Sequence, residues 1–137
     1  MYTAIVEAGF SARHHVRLPD GTWETPHLHH WRVRACFFAV ELDEHGMVVD
    51  FDQARLALEA VVAQFHERDL NNHPALHGAA PTAEVVARHI CTELVKAQLP
   101  QTRAVAVTES PGCVAVYQRP GPGECKTAPW FDDVWDE

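Results

Sequence analysis

The chain has 137 residues, 47% of them apolar, with a formal net charge of -8 and a pI near 5.6. That length and apolar share are enough for one compact domain, and an acidic balance without a clustered basic face argues against a nucleic-acid backbone as partner. No apolar run reaches the ~20 residues that span a bilayer, and Met1-Tyr2-Thr3 opens on strand-like sequence rather than on a charged and apolar leader, so a soluble, cytoplasmic protein without a membrane partner is expected.

In chain order, β-branched and aromatic residues predict a strand from Tyr2 to about Gly9. Pro19, Asp20-Gly21 and Pro26 mark a turn-rich loop that brings the chain back. The run from His29 to Leu42 alternates, with Trp31, Val33, Ala35 and Phe37 on one face and Arg32, Arg34 and Cys36 on the other, which predicts an antiparallel strand. Asp50 stands where an N-cap opens a helix whose apolar face is Phe51, Ala54, Leu58, Val61, Val62 and Phe65. A polar loop from Arg68 to Ala80 follows. Thr82 then caps a second helix, reaching about Ala97, with Val85, Val86, Ile90 and Leu94 as its stripe. Two short alternating runs joined at Pro111-Gly112 read as a hairpin. The predicted order is ββααββ over residues 1–120, and residues 121–137 form a Pro- and Gly-rich, then acidic and aromatic tail. Cys36, Cys91, Cys113 and Cys125 make no C-x-x-C pair, so no zinc ribbon or redox motif is signalled.

Ten histidines is the unusual count. Two histidines at i and i+2 of a strand project from one face, so His27 and His29 can present imidazoles to a single point. A third ligand from the neighbouring strand, His14 or His15, would complete three histidines with an open fourth position, the pattern of catalytic zinc.

Around these residues the chain resembles the 6-pyruvoyltetrahydropterin synthase family, which includes the 6-carboxytetrahydropterin synthases of queuosine biosynthesis. The segment "FSARH" is similar to the family's first-ligand motif, and "HLHHWRV" to its His-Gly-His-Asn-Tyr-x-Val motif. "GMVVDF", "DLNNHPAL", "PTAE" and "VTES" follow in matching order and spacing. The resemblance implies an α+β tunnelling fold (T-fold): an antiparallel sheet with two helices on one face, assembling into barrels as a homohexamer, a dimer of trimers. It implies zinc on His14, His27 and His29. It also implies a pterin-like ligand anchored by Glu109, whose carboxylate accepts two parallel N–H bonds, with further contacts from Thr82 and Glu84.

Four departures qualify what the resemblance implies about activity. Trp23 stands where the family places its proton-moving cysteine, and Cys36 is further down the strand. His66-Glu67 replaces the family's Asp-His pair in reversed order, which aims each group where the other belongs. Glu24 lies one residue away from the position at which a subgroup uses glutamate to cleave a dihydroneopterin side chain, giving 6-hydroxymethyl-dihydropterin. His30 replaces an asparagine and Leu28 a glycine in the ligand motif, with Leu28 expected on the opposite face and His30 as a competing imidazole. The expectation is a divergent homologue that binds a pterin-like or purine-like ligand without the 6-pyruvoyl or 6-carboxy synthase reaction. The alternatives are a zinc-dependent lyase using Glu24, or His66 and Glu67, and a non-catalytic oligomeric scaffold. Arg13, Arg17 and Arg32 are expected near the pocket, where they would offset the acidic balance locally.

Overall fold

The computed structural model describes residues 1–120; the predicted tail, 121–137, lies outside the described residues. The chain runs β1 (Tyr2–His14), β2 (His27–Ala39), α1 (Phe51–Ala63), β3 (Arg68–Asp69), a 3₁₀ turn (Pro74–Leu76), α2 (Ala83–Lys96), β4 (Thr102–Ser110) and β5 (Cys113–Gln118). The five strands form one sheet in the order β3-β1-β2-β4-β5. The four long strands pair antiparallel, and β3 adds a short parallel contact to β1 at Ala12 and Arg13.

Both helices start where the sequence offers an acceptor for otherwise unpaired N–H groups. The Asp50 carboxylate accepts from Asp52 N and Gln53 N, and the Thr82 hydroxyl accepts from Val85 N. Ala54, Leu58, Val61 and Val62 of α1, and Val86, Ile90, Cys91 and Leu94 of α2, are buried against one face of the sheet. That face is made by alternate residues: Val6, Phe10 and Ala12 of β1; Trp31, Val33, Ala35 and Phe37 of β2; Val105 and Val107 of β4. Phe10 and Trp31 stack with centroids 5.6 Å apart, and Phe65 leans on Phe10 at 5.5 Å. Gly9 lets β1 and β2 close here, since a Cβ at that position would stand 3.1 Å from Trp31 O.

Three details differ from the pattern reading. First, β1 continues to His14 rather than stopping at Gly9, because Ala12 and His14 hold the core-facing phase while Ser11 and Arg13 take the other face. Second, β3 has only two residues, held as the chain crosses back after α1, with Glu67 N donating to Ser11 O and Leu70 N to Arg13 O. Third, Phe51 is 59% exposed at the start of α1, while Phe65, beyond the end of that helix, is fully buried. Among the described residues no helix is long and apolar enough to cross a membrane.

Candidate functional site

The site grows from the same alternation that builds the core. Continuing each core-facing row past the helices brings up His14 after Ala12 on β1, His29 and His27 before Trp31 on β2, and Glu109 after Val107 on β4. Their ligand atoms all lie within 4.8 Å of one another, although His14 and Glu109 are 95 positions apart in the chain. His15, the other option for a third ligand, is outside this group; its ring packs on Trp23, and its backbone is held on both sides by the Asn71 amide.

Two backbone carbonyls settle which nitrogens face the centre. His14 Nδ1 is 2.7 Å from Pro81 O, and His27 Nδ1 is 2.8 Å from Thr25 O. A carbonyl only accepts, so each Nδ1 is held as a donor and each Nε2 is turned inward, that of His14 to hydrogen-bond distance, 3.1 Å, from Glu109 Oε1. This is the outer support that metal-ligating histidines ordinarily have. His29 Nε2 is buried without a hydrogen-bond partner, standing 3.0 Å from Glu109 Oε1 but off the line of a hydrogen bond. Burial lowers the His29 pKa below its ordinary value against the opposing pull of Glu109, which favours the neutral ring that a metal requires. Three inward nitrogens, one of them a buried orphan, fit zinc.

The remaining predicted residues divide clearly. Glu24 reaches the site: its Oε1 is 3.7 Å from His27 Nε2 and accepts from Val16 N at 2.9 Å. A small ladder holds Glu24 there, in which Arg17 bridges Trp23 and Glu24 N donates to Val16 O. Adjacent extended residues point to opposite sides, so Trp23 turns outward, 60% exposed, and Glu24 turns in. His66 and Glu67 are not brought to the cluster in this chain. His66 Nδ1 accepts from Ser11 N at the outer edge of β1, and Glu67 is exposed with a left-handed backbone, φ 58°. Thr82 spends its hydroxyl on the helix cap and Glu84 is exposed; it is their neighbour Pro81 that touches the site. His30 offers no competing imidazole, because it lies on the opposite face with its Nδ1 2.7 Å from Ser11 Oγ. Leu28 shares that face and is 52% exposed.

Past the Arg32 and Thr108 pair, β2 and β4 no longer hydrogen-bond. A cavity of about 390 Å³ opens there, lined by Leu28, His30, Arg32 and Thr108 and reaching His29 and Glu109. Its volume suits a small heterocyclic ligand. Arg32 therefore lines the pocket, whereas Arg17 is turned to Gly21 O and Arg13 is exposed. Sequence reasoning missed the carbonyls of Thr25 and Pro81, the clamp made by Asn71 and the placement of Glu109 among the histidines. The Asn-Asn pair after Leu70 was the one signal for the clamp.

Comparison with known proteins places these features in a wider group. The family model for 6-pyruvoyl tetrahydropterin synthase matches residues 3–120. The fold is similar to the 6-pyruvoyl tetrahydropterin synthase of Caenorhabditis elegans, with a TM-score of 0.74 at 17% identity, covering 87% of this chain and 96% of that one. A protein of Wolinella succinogenes described as uncharacterised aligns with a TM-score of 0.71 at 17% identity, covering 87% and 98%. Two variants of the Plasmodium vivax synthase, in which a glutamate described as a catalytic residue is replaced by alanine or cysteine, align at 0.67 and 16%, covering 86% and 97%. No curated protein sequence matches the chain.

Proposed function

Because the chain belongs to the 6-pyruvoyl tetrahydropterin synthase family, we propose that it is a zinc-dependent lyase that binds a pterin-like ligand and cleaves a dihydroneopterin-type side chain, without the 6-pyruvoyl or 6-carboxy synthase reaction. The observation that carries this reading is the position of Glu24. It brings a carboxylate within 3.7 Å of an inward-facing imidazole, while the residue at the family's cysteine position faces solvent. The Plasmodium vivax synthase, whose catalytic residue is also a glutamate, lends the same role chemical precedent.

Zinc held by His14, His27 and His29 would act as a Lewis acid, making a hydroxyl of the bound side chain more acidic. Glu24 then has a defined task. Val16 N tethers its Oε1 and so fixes the carboxylate beside His27, where it would accept the proton of the C2′ hydroxyl. The C1′–C2′ bond breaks, the hydroxyl-bearing carbon leaves as an aldehyde, and the electron pair passes to C1′ and the conjugated ring. Glu24 returns the proton to C1′, giving a 6-hydroxymethyl product. Glu109 orients the ring by accepting the 2-amino and N3 hydrogens, as the family resemblance implies. Assembly through sheet edges belongs to the same proposal. Among the described residues Tyr2–Phe10 on the outer side of β1 and the outer side of β5 have no strand partner, and a homohexamer of closed barrels would pair both.

The test is incubation of zinc-loaded protein with dihydroneopterin triphosphate and chromatography of the fluorescent pterins. The 6-hydroxymethyl product is expected, and Glu24→Gln should slow its formation by about 10²–10⁴-fold. A 6-pyruvoyl or 6-carboxy product, or full activity in Glu24→Gln, would overturn the proposal.

A further inference from the structure

We infer that Glu109 is a displaceable fourth metal ligand: it closes the site when no pterin is bound and opens it when a pterin takes the carboxylate. The inference rests on the proposed pterin binding for its second half and on geometry alone for its first.

The Oε1 atom of Glu109 lies 3.1 Å from His14 Nε2, 3.0 Å from His29 Nε2 and 3.9 Å from His27 Nε2. Zinc–nitrogen and zinc–oxygen bonds of about 2.0–2.1 Å at tetrahedral angles put neighbouring ligand atoms roughly 3.3–3.4 Å apart. The carboxylate oxygen therefore stands at about one tetrahedral edge from two imidazoles and close to one from the third. The carbonyls of Pro81 and Thr25 hold the Nδ1 atoms of His14 and His27 and so aim both Nε2 atoms toward the same carboxylate, and the ligand atoms of all four residues lie within 4.8 Å of one another.

Three histidines and a glutamate would fill a tetrahedral zinc site, and a filled site offers no position to a substrate. Glu109 also lines the 390 Å³ cavity, so the same carboxylate is presented to an incoming ring. A pterin that offers two parallel N–H donors gives Glu109 a bidentate partner outside the metal shell. Taking it would vacate the fourth position at the moment the ligand arrives, so the metal would be open only with a pterin in place.

Cobalt(II) in place of zinc reports coordination directly through its visible spectrum. Wild-type protein loaded with cobalt is expected to show the intense bands of a four-coordinate site with three nitrogens and one carboxylate. Glu109→Ala should shift those bands and weaken cobalt binding by about tenfold or more. Glu109→Gln serves the same comparison if the alanine variant does not fold. Adding neopterin to the wild type should move its spectrum toward that of the variant. Identical spectra and affinities in wild type and variant, or no cobalt binding because the cluster is only an imidazolium–carboxylate pair, would overturn the inference. Neopterin that raises the melting temperature without changing the spectrum would overturn the displacement. A variant with shifted bands alongside a wild type indifferent to neopterin would support the closed site and refute the pterin reading instead.

Discussion

Trp31→Phe tests whether core and site are one structure. The Trp31 side chain is 1% exposed, stacks on Phe10 and donates from Nε1 to Ala12 O at 3.2 Å. Its ring also meets the His14 ring edge-on at 4.8 Å and that of His29 at 6.1 Å. Phenylalanine keeps the stack but removes the donor, leaving a buried carbonyl without that partner at a cost of about 1–3 kcal/mol. The smaller ring leaves a void worth roughly 1 kcal/mol more. The expected loss of about 2–4 kcal/mol corresponds, for a chain of this size, to a fall in melting temperature of roughly 6–14 °C. Freed of the indole edge, His14 and His29 can rotate off their aim, and zinc affinity should fall about tenfold, as when an outer support of a metal ligand is lost. Thermal melts by circular dichroism with a chelator present, at fixed protein concentration, measure the first effect. Competition with a chromophoric chelator measures the second. A melting temperature within 2 °C of wild type together with unchanged zinc affinity would refute the reasoning.

Removing zinc from the wild type with a chelator should lower the melting temperature, with recovery scaling as the logarithm of added zinc; a melt indifferent to metal contradicts the assignment of the histidines. Thr82→Ala removes the acceptor for Val85 N and should cost about 1 kcal/mol in a urea titration; no change would mean that water caps α2 equally well. His89 packs edge-on against Phe65, and burial depresses its pKa below the ordinary 6.5 in spite of Glu93. Its contribution is present above pH ~6.5 and is lost as pH falls through the lower folded value, because the unfolded chain binds the proton first. His89→Phe should therefore flatten the acid side of the stability profile, and an unaltered slope rules the residue out. The buried Cys91 thiol is pushed up to about 11, so iodoacetamide at pH 7.5 should leave it unmodified in the native protein and alkylate it after unfolding, as read by peptide mass spectrometry.

The elements legible in the sequence were those whose pattern is local. Alternation through Trp31, Val33, Ala35 and Phe37 and the caps at Asp50 and Thr82 gave β2, α1 and α2 because each signal lies within one element. The second half of β1 was harder, since Ser11 and Arg13 dilute its apolar character and only the pairing with His27–His30 makes it a strand. Nothing in Arg68-Asp69 announces β3, which exists through its neighbour. Likewise the i, i+2 spacing of His27 and His29 shows that they share a face, but no spacing relates them to Glu109 on a strand reached after two helices. The direction of Glu24 depended on the Arg17–Trp23 bridge, a contact between residues whose types do not advertise it.

The rows that carry His14, His27, His29 and Glu109 and the core rows are continuous along β1, β2 and β4, so they share a reading frame. One residue inserted between His29 and Val33 would turn either the ligands or the core side chains to the wrong face, and no local adjustment restores both. Glu24 lies outside those rows, in the loop between His14 and His27, where a change of length leaves all three histidines in phase. A lineage could therefore change the residue at position 24 many times over while the histidine rows and the hydrophobic core descend together unaltered.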